Sequence, residues 1–207
     1  MILQTWLDST PITKLYLPLA KEYGLAEFAF FLVDDDWDGQ SLIDLKNTTG
    51  ASFLFGLQTA RKRINKLDVI DGIIICRPDE SKQVMKVFEV TFNRRGNLLT
   101  TDFNDLKKAL QFTRPARFVQ TTIIGKDRVE RAINQILNQI PKDINLDVII
   151  LRIKTDGDVS LEKYFIISSA IEERVSEDIS LWYGNDVADE SNYLCIWVSS
   201  YSRSTMK

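Results

Sequence analysis

The sequence predicts an α/β fold, a mixed central sheet flanked by helices with a strand-rich C-terminal third. Two observations point there. Apolar runs of strand length alternate through the middle of the chain with segments whose apolar residues recur at helical spacing, and extended runs dominate the end. A chain of 207 residues fits one domain with a substantial core. We expect a single unit over 1–207, in which 1–51 form an N-terminal helix and strand appendage, 52–125 the core, and 126–207 a helix with the C-terminal strands.

Ser9-Thr10-Pro11 reads as a helix start, with Leu15 and Leu19 on the helix and Gly24 ending it. Phe28 to Val33 is a continuous apolar run and reads as a strand. Asp34 to Gln40 is a polar break. Ser52 to Lys66 is expected to be helical from Leu57, because Leu57, Ala60 and Ile64 share a stripe. Val69 to Cys76 reads as a buried strand, the RPDESK stretch as a turn, and Val84 to Phe92 as the returning strand of a hairpin. A loop at 93–101 leads to a helix capped by Thr101 or Asp102. Ala116 to Ile124 reads as a strand. Lys126 to Ile140 is the clearest amphipathic helix, stopped by Pro141. Strands are expected at Leu146 to Lys154, Tyr164 to Ser169 and Asn192 to Tyr201.

Composition excludes several chemistries. Histidine is absent, which removes imidazole bases, Ser-His-Asp triads and histidine-containing zinc sites. Two cysteines cannot close an all-thiolate zinc site. Cys76 and Cys195 each sit in an apolar run, so buried free thiols are expected rather than a disulfide. No apolar stretch approaches the roughly 18 residues of a membrane span, and the start lacks the features of a signal peptide; an intracellular protein is expected. Charge is unevenly spread. Residues 52–131 hold 16 basic and 9 acidic side chains, against 3 and 8 before them and 7 and 12 after. That middle third suits an anionic ligand, or is a mixed solvated surface.

The chemistry-bearing candidates lie in the same third. Asp71 opens the IDGIII run, and Glu89 with Thr91 sits in VFEVTF. Read as a hairpin, these strands would bring two hard oxygen ligands to one end of the sheet, an arrangement that suits Mg²⁺. An acid on one strand and Glu-x-Thr on the next, followed by a helix, resembles the PD-(D/E)XK (restriction-endonuclease-like) superfamily over roughly 52–125. The resemblance implies a restriction-endonuclease-like core that acts on or binds DNA or RNA phosphodiesters. Asp71, Glu89 and the carbonyl of Val90 would hold Mg²⁺. Thr91 stands where the motif has lysine, so Lys107 or Lys108 from the following helix would replace it, with Gln111 on the stripe of Lys107. Arg61, Arg63, Arg94 and Arg95 would contact phosphate. A catalytically inactive module of that fold, binding nucleic acid or a protein partner, is the alternative.

Blander readings stand beside these. Asp71 before glycine suits a strand end, Glu89 can pair with a lysine such as Lys86, and Lys107 and Lys108 suit a solvated helix face. Asp34, Asp36, Asp38 and Gly39 open like a calcium loop, but Leu45 stands where that loop needs glutamate, so a polar loop is the better reading. Trp37, Trp182 and Tyr183 either stack on bases or fill core and interface gaps.

Overall fold

A computed structural model describes residues 12–20, 22–60, 68–91, 115–140, 148–155, 160–174, 180–187 and 193–201. Five parallel strands, β1 (Thr13–Tyr16), β2 (Phe28–Leu32), β3 (Phe53–Gln58), β4 (Gly72–Ile75) and β5 (Ala116–Ile124), lie side by side in chain order. The sheet continues through β6 (Val148–Thr155), β7 (Ser180–Val187) and β8 (Tyr193–Tyr201) in the order β1-β2-β3-β4-β5-β8-β6-β7. Strand β8 runs antiparallel to both β5 and β6, while β7 is parallel to β6. The helices are α1 (Gly39–Thr49), α2 (Ser81–Thr91), α3 (Arg128–Gln139) and α4 (Leu161–Glu172). No described helix is long and apolar enough to cross a membrane.

Alternation along the strands sorts the core into layers. Phe28, Phe30, Phe53, Phe55, Ile74 and Phe118 face α2, which answers with Val84, Val87 and Phe88. The Phe88 ring sits 5.5 Å from Phe28, 5.5 Å from Phe30 and 5.0 Å from Phe55. On the other face, Ala29, Phe31 and Leu54 pack with Leu42 and Leu45 of α1. Further along that face, Val119, Ile123 and Leu151 pack with Ile136 of α3 and Ile167 of α4. Gly56 leaves room for the Phe31 and Val33 side chains to lie over β3: a Cβ there would meet Val33 Cγ2 at 2.9 Å and Phe31 Cζ at 3.0 Å.

Helix α2 lies alongside β1 at one end of the strand order and β6 and β7 at the other. Seven strand spacings of a flat sheet span about 34 Å, whereas the 11 residues of α2 span about 16 Å. The sheet is therefore curled, with α2 in its concave face.

The structure bears out the strands at Phe28–Leu32, Ala116–Ile124, Val148–Thr155 and Tyr193–Tyr201 and the helix at Arg128–Gln139. Four expectations are corrected. The segment expected as a helix before Gly24 contains β1, whose Leu15 and Tyr16 point to opposite faces beside β2. Residues 53–58 form β3, buried nearly throughout, as the interior strand of a two-sided parallel sheet must be. Residues expected as a returning strand from Val84 form α2, because Val84, Val87 and Phe88 make a helical stripe that the aromatic layer covers. Tyr164 to Ser169 belongs to α4. Ser160 caps that helix by accepting from the Lys163 N–H at 3.4 Å, and Ile167 and Ile171 form its buried face. The expected helix after Thr101 lies outside the described residues.

Candidate functional site

In open parallel sheets a ligand sits beyond the carboxyl ends of the strands, where helices begin and their free N–H groups point outward. Here that edge is built by the residues after β2, β3 and β4. After β2 the chain turns through Asp34, Asp35, Asp36 and Trp37 to Asp38. Asp34 accepts a 2.7 Å bond from the Thr59 hydroxyl just past β3, which ties the two strand ends together. The Trp37 ring packs edge-on against Phe31 at 5.9 Å.

Helix α1 starts on its own carboxylate. Asp38 Oδ1 accepts from the Ser41 N–H and the Ser41 hydroxyl, each at 2.7 Å. Those bonds hold the Asp38 carboxyl below its ordinary value. Gly50, at φ 63°, closes the other end of α1 in the left-handed conformation.

After β4, Arg77 leads into a 3₁₀ turn at Pro78–Glu80 ahead of α2. Glu80 is buried, accepting from the Arg77 N–H at 2.8 Å, Arg77 Nη2 at 2.9 Å and Gln120 Nε2 of β5 at 2.9 Å. This carboxylate fastens the start of α2 to β5. Beside it, burial first and the Glu80 charge second push the Cys76 thiol up to about 12. At this edge α1 thus starts on the chain's own carboxylate, while Glu80 fastens the turn ahead of α2 without bonding the first N–H groups of that helix. Helix α3, after β5, begins at Asp127 without a side-chain bond to its first turn. Among the described residues no group of three or more acids or cysteines could hold a metal ion.

The residues singled out from the sequence fall elsewhere. Asp71 lies at the amino edge, before β4. Its Oδ2 accepts from Lys46 Nζ of α1 at 2.7 Å and from the Leu54 N–H of β3 at 2.7 Å, while Lys46 also donates to the Val69 carbonyl at 3.1 Å. Glu89 is on α2, not on a strand, and pairs with Lys86 one turn back at 2.9 Å. Asp71 sits in α1's layer and Glu89 on α2 in the opposite layer, so the sheet separates them. The expected common pocket is not formed. Val90 and Thr91 are helical, and a helical backbone carbonyl of Val90 does not present itself as the strand carbonyl the reading required. Lys107, Lys108, Gln111, Arg61, Arg63, Arg94 and Arg95 lie outside the described residues, as do the side chains of Cys195, Trp182 and Tyr183. Cys76 is a buried free thiol.

Sequence reasoning missed Asp38 and Glu80 as caps. Both had a local signal: Asp38 stands three residues before Ser41 with Gly50 a helix length on, and Glu80 follows Pro78 at the mouth of a helical stripe.

No protein-family model and no curated protein matches the sequence. The shape does find counterparts. A W319Y mutant of FtsZ from M. jannaschii superposes with a TM-score of 0.62 at 12% identity, over 86% of this chain and 66% of that one. CetZ from Methanosaeta thermophila gives 0.59 at 12% identity, over 87% and 62%. TubZ from Bacillus thuringiensis serovar israelensis, in GDP-form protofilaments, gives 0.56 at 10% identity, over 85% and 61%. The fold is FtsZ-like. The chain spans slightly less than two thirds of the length of each of these proteins. This finding overturns the restriction-endonuclease-like core and with it the nuclease function, the inactive nuclease-fold alternative and the nucleic-acid partner. The physical reason is local: the motif needed two adjacent strands, and one of them is the helix in the concave face.

Proposed function

We propose that this chain is a self-associating assembly unit with an FtsZ-like fold, rather than a hydrolase of phosphodiesters. The separation of Asp71, bonded to Lys46 of α1, from Glu89 on α2 supports the second half of that reading. At the start of α1 a phosphate would have to displace the Asp38 carboxylate from the Ser41 N–H. The likeness to TubZ, whose structure is of protofilaments, supports the first half.

A second reading is favoured by the GDP form of that same neighbour: the carboxyl edge takes a guanine nucleotide with Mg²⁺. Magnesium commonly takes only one or two carboxylates and completes its shell with water and phosphate oxygens. The carboxylates after β2 are of the right chemical kind.

Light scattering of the purified chain over a rising concentration series, with and without GDP and Mg²⁺, separates the two. Assembly that is indifferent to nucleotide is the expected result. A particle that stays monomeric at every concentration overturns the first reading. Assembly that needs GDP and Mg²⁺ establishes the second in its place.

A further inference from the structure

We draw no further inference here: the strongest candidate, the patch of exposed leucines Leu17, Leu19 and Leu25 on the connection between β1 and β2, carries none because nothing in the structure shows what covers it.

Discussion

The two edges of the parallel sheet carry the same residue type for different ends. At the amino edge Asp71 is held by the Lys46 ammonium and the Leu54 N–H, with only 11% of its side chain exposed. At the carboxyl edge Asp38 is open to water and closes a helix, and Glu80 is buried under three hydrogen bonds that fasten a helix to a strand. Each of the three is bonded within the chain. An acid next to an apolar run is thus not evidence of a site until the edge, the layer and the bonded partner are known.

The largest effect should come from the layer that keeps Asp71 and Glu89 apart. Phe88→Ala removes the ring on which Phe28, Phe30 and Phe55 converge, and should cost about 3–5 kcal/mol in urea unfolding. Asp71→Ala comes next, at about 2–3 kcal/mol, because it leaves the Leu54 N–H and a partly buried ammonium without their acceptor. At the other edge, Glu80→Ala should cost about 2 kcal/mol and loosen the start of α2, seen as faster amide exchange over 81–84.

Much of the fold was legible where one signal dominated. Phe28–Leu32 and Ala116–Ile124 are apolar runs of strand length, and Val129, Ile133, Ile136 and Ile140 keep helical period without interruption. Where two periods coexist, the sequence was ambiguous. The VFEVTF stretch alternates like a strand and is rich in β-branched residues, yet Val84, Val87 and Phe88 also sit at helical spacing. Burial by the facing aromatic layer decides between them, and that layer is assembled from strands far away in the chain. The curl of the sheet is likewise set by contacts between its far ends and α2. Asp71 and Glu89 share a pocket only if VFEVTF is a strand; as a helix it puts Glu89 in the layer opposite Asp71.

Smaller effects sharpen the contrast between edges. The Cys76 thiol, pushed up to about 12, should resist alkylation at pH 8 in the native protein and react readily once urea unfolds it. Asp38 has a lowered folded pKa, so its share of stability is fully present above the ordinary carboxylate range. It is lost as pH falls through the lower folded value. Asp38→Asn should therefore flatten the acid limb of the stability curve slightly, with little change at pH 7, since asparagine also caps.

The most direct test of the contrast is a pair of double-mutant cycles in urea, one on Lys46 and Asp71, the other on Lys86 and Glu89. The first pair bridges α1 to the sheet in partly buried surroundings; the second is a single turn of one helix, half exposed. We expect a coupling of about 1–2 kcal/mol for Lys46 with Asp71, and no more than about 0.5 kcal/mol for Lys86 with Glu89. Two equally small couplings would contradict the account, because Asp71 would then not be the internal latch described and its carboxylate would need another purpose.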